Sequence, residues 1–252
     1  TFTNFPYYSG KKVSVIAQDT EPSGVAFSSD GTKMYISGLQ HNAVYQYTLS
    51  VKDDVSTATY SGASFSVSAQ ETSTHDLAFS TDGTKMFIIG AASDRVWQYN
   101  LATAWSVSTA SYSGNNGYVG GQEVNPYGLD FSTDGTKMYI VGFNNKTVYQ
   151  YTLGTAWNPS TASYSGLSIS VASQDGTIHG VAFSLDGKRM FIAGDSTNSV
   201  YQYDLSTAWN VSTATYNDYF LNVYNLDGNP YGITFNSGGT KMYISGVQND
   251  QI

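Results

Sequence analysis

Apolar and polar residues alternate in short runs along the whole chain, and no window shows the 3.6-residue spacing of an amphipathic helix. Gly24-Val25-Ala26-Phe27-Ser28 reads as a short strand. Asp30-Gly31 follows as a hairpin turn, because both residues tolerate positive φ. Lys33 to Ser37 reads as a second strand, Gly38 to Ala43 as a polar loop and Val44-Tyr45-Gln46-Tyr47-Thr48-Leu49 as a third strand. A fourth runs from Thr59 to Val67, with Tyr60, Phe65 and Val67 alternating.

This unit recurs. FSSDGTKMYISG, FSTDGTKMFIIG, FSTDGTKMYIVG, FSLDGKRMFIAG and FNSGGTKMYISG place their second turn glycine at Gly31, Gly83, Gly135, Gly187 and Gly239, a constant step of 52 residues. Four strands per unit, no helix and a strict period predict an all-β, five-bladed β-propeller with four-stranded antiparallel blades. Residues 1–252 are expected to form one such domain. Its core is expected on Phe27, Phe79, Phe131, Phe183 and Phe235, on Met34, Met86, Met138, Met190 and Met242, and on Val44, Val96, Val148 and Val200.

Five units would need eight residues more than the chain has. Tyr8-Ser9-Gly10 matches Tyr60-Ser61-Gly62, and Ile252 matches Val44, so the last blade is expected to be shared between the termini. Tyr231 to Gly246 would supply its first two strands and Tyr7 to Ile16 its outer strand. Three ways of filling the remaining third-strand position follow: residues 1–6 folding back, continuation of the chain past Ile252, or strand exchange with another molecule. Continuation is favoured, since the chain opens on Thr1 and reads as a processed or trimmed product.

The hairpin Phe-Ser-x-Asp-Gly-Thr-Lys-Met-(Tyr/Phe)-Ile and the tail Val-Tyr-Gln-Tyr-x-Leu resemble the TolB, YncE and lactonase-like propeller repeats. The blade count is similar to that of tachylectin-type sugar-binding propellers and of several glycoside hydrolases. The likeness covers the framework of all five units, and the sialidase Asp-box pattern is absent.

Composition narrows the function. Hydrophobic residues make up 40% and charged residues only 12%, which excludes a charge-rich disordered chain. With 19 acidic and 11 basic residues the net charge is −8, so nucleic acid is not an expected partner. No stretch approaches the 18 apolar residues of a membrane span, so no membrane insertion is expected. The absence of Cys excludes disulfides and thiolate metal sites. Neither a cofactor nor a metal is expected. Asn145-Lys146-Thr147 and Asn210-Val211-Ser212 match the glycosylation acceptor pattern, which arises readily in so Asn-, Ser- and Thr-rich a chain.

Comparing the units with one another separates two faces. Ser-x-Asp-Gly-Thr-Lys and the loops holding Trp105, Trp157 and Trp209 hardly change. The loops of the opposite face differ in every unit: its long loops read DTEPS, ETSTH, EVNPY, DGTIH and DGNPY, and its short loops LQHNA, AASDR, FNNKT, DSTNS and VQNDQ. Variable loops on a rigid scaffold commonly carry function, so the binding face is assigned there. Their acidic start (Asp19, Glu71, Glu123, Asp175, Asp227) suits carboxylates that accept backbone N–H groups within the loop. Their axial end (Ser23, His75, Tyr127, His179, Tyr231) crowds two His and two Tyr at the channel mouth.

These features predict an extracellular or cell-surface recognition module for carbohydrate or another surface polymer, rather than an enzyme. Tyr127 and Tyr231 would stack on the ligand, and His75, His179, Asp76, Asn42, Asn144, Asn145 and Asn198 would hydrogen-bond it. The rival reading is a glycoside hydrolase. Asp76 replaces a glycine and Asp130 a small residue on neighbouring innermost strands, and two such carboxylates are its secondary catalytic candidates. A third reading is a purely structural repeat of a larger surface or particle-associated protein.

Overall fold

The computed structural model describes residues 7–252. In the first unit β1 (Pro22–Phe27), β2 (Lys33–Gly38), β3 (Ala43–Leu49) and β4 (Ala58–Ser66) form one antiparallel sheet in that order. The second sheet holds β5 (Thr74–Phe79), β6 (Lys85–Gly90), β7 (Arg95–Leu101) and β8 (Ala110–Tyr118). The third holds β9 (Pro126–Phe131), β10 (Lys137–Gly142), β11 (Thr147–Leu153) and β12 (Ala162–Ser170). The fourth holds β13 (Ile178–Phe183), β14 (Arg189–Gly194), β15 (Ser199–Leu205) and β16 (Ala214–Asn222). β17 (Pro230–Phe235) and β18 (Met242–Gly246) form a two-stranded sheet.

The Asp-Gly hairpins explain why these strands form where they do. Gly31 adopts φ +70°, and Asp30 Oδ1 accepts the Thr32 N–H at 2.9 Å and the Ser28 hydroxyl at 2.6 Å. Ser28 Oγ in turn accepts the Lys33 N–H that starts β2. Units two to four repeat these bonds with Asp82, Asp134 and Asp186, and the hydrogen bonds hold all four carboxyls below the usual carboxylate range. In the fifth unit Asn236 Oδ1 does the same work, accepting the Thr240 and Lys241 N–H groups. The hairpins drive alternate residues into the space between sheets. Met34, Met86, Met138 and Met190 are fully buried there, as are Ile36, Ile88, Ile140 and Ile192. Single 3₁₀ turns precede the outer strands at Val55–Thr57, Val107–Thr109, Pro159–Thr161 and Val211–Thr213, a feature the alternation does not reveal.

The expectation of five four-stranded blades is corrected. Four blades are four-stranded, and the fifth unit forms a two-stranded sheet. Opposite it, the expected outer strand is reduced to Val13 and Ile252 exchanging backbone bonds at 3.0 Å, the Val15 N–H donating to the Asp250 carbonyl at 2.9 Å, and a bridge between Ser14 and Gln251. Without two complete strands over it, Met242 is only partly buried, unlike its four counterparts. The proposed folding back of residues 1–6 lies outside the described residues. β17 packs beside β1 all the same: Tyr243 Oη and Lys241 Nζ donate to the Asp53 carbonyl at 2.9 and 2.7 Å, and Ser245 Oγ donates to the Ser23 carbonyl.

Candidate active site in the axial channel

The innermost strands β1, β5, β9, β13 and β17 surround an axial channel whose two ends differ. At the loop end each acidic residue is buried beneath both variable loops of its unit. Glu123 accepts the Asn125, Asn144 and Asn145 N–H groups at 3.0–3.2 Å. Asp19, Glu71, Asp175 and Asp227 repeat the pattern, each tying the long loop to the short one. The glycine ending each second strand makes room: a Cβ on Gly142 would run into Glu123.

The axial residues at this end pack on one another. His75 and Tyr127 have ring centroids 3.8 Å apart, as do His179 and Tyr231, and Tyr127 lies parallel to His179 at 5.1 Å. His75 and His179 are 6% and 4% exposed. Burial, with His179 alongside, pushes the His75 imidazole down to about 3. His179 Nε2 lies 3.1 Å from Asp195 Oδ2 without the alignment of a hydrogen bond. No group of three or more His, Asp or Glu able to hold a metal occurs among the described residues.

The nominated asparagines are also engaged within the loops. Asn42 Oδ1 accepts the Thr74 N–H, Asn144 Oδ1 accepts from Asn125, and Asn145 Nδ2 donates to the Gln122 carbonyl. Asn198, in the amide orientation that satisfies its neighbours, donates to the Asp195 and Gly228 carbonyls. The expected recognition surface is therefore corrected. Its rings stack on one another across the channel and its amides stitch loops together, so the nominated residues are engaged with each other.

Below these rings the channel holds a cavity of about 310 Å³ that reaches the invariant turn face. Its wall includes Asp76, Asp130, Trp105, Trp157 and Trp209, and at its mouth lie the exposed Ser29, Thr81, Thr133 and Leu185. The three Trp adopt φ near +60° and cover Gly83, Gly135 and Gly187, where a Cβ would enter the indole ring.

Asp76 and Asp130 stand out in this wall. The Asp76 position is glycine in the other four units, Gly24, Gly128, Gly180 and Gly232, because the inner strands approach closely there. Asp76 lies over Gly24, accepting the Leu77 N–H at 2.8 Å and the Leu129 N–H of the neighbouring strand at 3.0 Å. Asp130, the next residue after Leu129, accepts the Phe131 and Phe183 N–H groups at 2.7 and 2.8 Å. Each carboxyl thus spans equivalent N–H groups of two adjacent inner strands. Those bonds favour ionisation, but burial outweighs them and raises both carboxyls. Asp130 is pushed up to about 7; Asp76 is raised well above the carboxylate range, with the charge of Asp130 adding to the effect. The expectation that catalysis is the lesser reading is corrected accordingly: the residues brought together in an accessible cavity are the two carboxyls, not the loop residues.

No family model matches the chain, and no curated protein matches it. Among solved structures it is similar to a putative 6-phosphogluconolactonase from Bacteroides uniformis, at 12% identity and TM-score 0.52, over 79% of this chain and 54% of that one. A putative 6-phosphogluconolactonase from Bacteroides fragilis gives 14% identity and TM-score 0.53, over 80% and 55%. The chain therefore spans about half the length of these two structures. A chain of a nidogen/laminin complex is similar at 12% identity and TM-score 0.54, over 89% of this chain and 72% of that one. The lectin-type likeness expected from the blade count is replaced by a likeness in fold to lactonase-type propellers.

Proposed function

We propose that the protein is a lactonase-like hydrolase with Asp76 and Asp130 as its acid–base pair. The carrying observation is that the two carboxylates that, among the described residues, replace small residues on the inner strands line one cavity and are both held towards their neutral forms. A group titrating near 7 can take and return a proton at neutral pH, the condition under which general acid–base catalysis works best. Asp76, raised by burial, donates a hydrogen bond to a carbonyl oxygen from its protonated form. Asp130 takes a proton from water as the water oxygen bonds to the lactone carbonyl carbon. The ring C–O bond then breaks, and Asp130 returns the proton to the departing alkoxide, leaving a hydroxy acid.

The cavity favours an uncharged substrate. No Lys, Arg or His lies in its described wall, so a phosphorylated lactone would find no cation. Its volume suits a single ring, and the Trp side chains offer apolar faces at the mouth. The same carboxyl pair also supports glycoside hydrolysis, the second reading, because that reaction needs two carboxyls flanking one bond.

The repeats supply variants compatible with the fold: Asp130→Ala restores the residue of Ala26, Ala78 and Ala182, and Asp76→Gly that of the other four units. Each should fold and lose roughly 10²-fold or more of the activity on unphosphorylated lactones. Rates above spontaneous hydrolysis on lactones support the first reading, and cleavage of aryl glycosides alone supports the second. No hydrolysis on either panel, or full activity in both variants, would falsify the assignment.

A further inference from the structure

Alternate residues of each innermost strand turn their backbone N–H groups away from the neighbouring strand and into the channel, as the antiparallel ladder requires. In β1 the Ser28 N–H donates to the Lys33 carbonyl and Phe27 lies opposite Met34, so the next N–H, that of Phe27, faces the axis. β5 repeats this with Ser80, Lys85 and Met86, and the Phe79 N–H faces the axis in turn. β9 and β13 show what such donors bind. The two oxygens of Asp130 accept the Phe131 and Phe183 N–H groups, one from each strand, at 2.7 and 2.8 Å. Asp76 bridges Leu77 and Leu129 in the same way. The channel thus holds a carboxyl across two adjacent inner strands twice over.

We propose that the Phe27 and Phe79 N–H groups bind the carboxylate of a small organic acid, held across β1 and β5 as Asp130 is held across β9 and β13. Phe27 and Phe79 stand two units before Phe131 and Phe183, and Ala26 stands two units before Asp130. Ala26 ends at Cβ, so the side chain that would bridge this pair carries no carboxyl. Phe27, Phe79 and Ala26 all line the cavity of about 310 Å³. Inward N–H donors need an acceptor, and an ionised carboxylate offers one oxygen to each strand in charge-assisted bonds. With no Lys, Arg or His in the described wall, a dianion such as phosphate has no cation to meet, whereas a monocarboxylate needs only the two N–H groups. Asp76 and Asp130 are the titratable side chains in that wall, and burial holds both towards neutral. The hydroxy acid released when a lactone opens is one ligand of this class. That link rests on the hydrolase reading; the site itself does not.

The test is amide NMR of protein labelled at its phenylalanine nitrogens, titrated with acetate and with acetamide, its uncharged isostere, slightly below the pH of about 7 at which Asp130 ionises. Saturable shifts of the Phe27 and Phe79 signals are expected with acetate and several-fold weaker ones with acetamide. Ala26→Asp copies the Asp130 arrangement, supplies the carboxyl from the chain itself and should abolish the acetate response. Phe27 and Phe79 signals that do not move, an equal response to acetamide, or undiminished acetate binding by folded Ala26→Asp would each overturn the proposal. Should that variant not fold, the contrast between acetate and acetamide in the parent protein decides. Lactone hydrolysis without acetate binding would overturn this site and leave the hydrolase reading standing. Acetate binding without hydrolysis on either substrate panel would support the site and remove that reading.

Discussion

The two ends of the axial channel are made from the same repeats and have diverged in opposite ways. At the loop end nearly every residue differs between units, yet each buried carboxylate makes equivalent bonds and the four rings stack on one another. At the turn end the sequence hardly varies, yet that is where the cavity lined by the two unusual carboxyls reaches solvent. Loops that meet at an axis must be fitted individually to non-identical neighbours, so variation there reflects packing. A working group in a constant wall shows up as a lone substitution at an otherwise small position.

The largest expected effect tests whether the turn end is rigid. Gly135 has φ +67°, and a Cβ there would enter the Trp157 ring. Gly135→Ala combines backbone strain with loss of that packing and should cost about 3 kcal/mol or more. For a chain of this size the melting temperature should fall by roughly 6–12 °C. Urea unfolding followed by tryptophan emission measures it. A variant melting within about 2 °C of the parent would show that the Trp–Gly contact does not hold the mouth in shape.

Of intermediate size is a pH effect of opposite sign at the two ends. His75 titrates near 3 when folded against 6.5 in the unfolded chain. Its stabilising contribution is therefore present above 6.5 and lost as pH falls towards 3. Asp130 is raised from 3.8 to about 7, so the folded state holds its proton more tightly and stability falls as pH climbs from about 4 to 7. His75→Phe should flatten the acid limb of the stability curve, and Asp130→Ala the neutral one. If either variant flattened both limbs, the two ends would not titrate independently.

Much of the architecture was legible because period and alternation are backbone properties repeated five times. The Asp-Gly turns, the buried methionines and the crowding of His75, Tyr127, His179 and Tyr231 at the axis all follow from spacing. The two-stranded fifth sheet is a matter of pairing, which depends on whether two distant edges meet over enough residues. Which side chains remain available was harder to read, because availability depends on partners in other loops. Asn144 looks like a ligand donor in sequence, and only the fold brings Asn125 to its amide oxygen. Asp130 carried a readable signal, a carboxylate at a position otherwise Ala or Thr, but its raised titration comes from burial, which sequence spacing does not measure.

The smallest effect is expected at Asn145, which looks most like a binding residue and is argued to be scaffold. Its side chain makes an exposed bond from Nδ2 to the Gln122 carbonyl at 2.6 Å and also bonds the Tyr149 hydroxyl, whereas its backbone N–H donates to Glu123 at 3.0 Å and survives substitution. Asn145→Ala therefore removes these side-chain bonds and leaves the carboxylate's backbone partners in place. The cost should be about 0.5–1 kcal/mol, a shift of only a few degrees in melting temperature. Hydrolysis at the turn end should be unchanged, because Asn145 contributes nothing to the cavity wall. A substantial drop in hydrolysis with the melting temperature intact would place working chemistry at the loop end after all and reverse the assignment of the two faces.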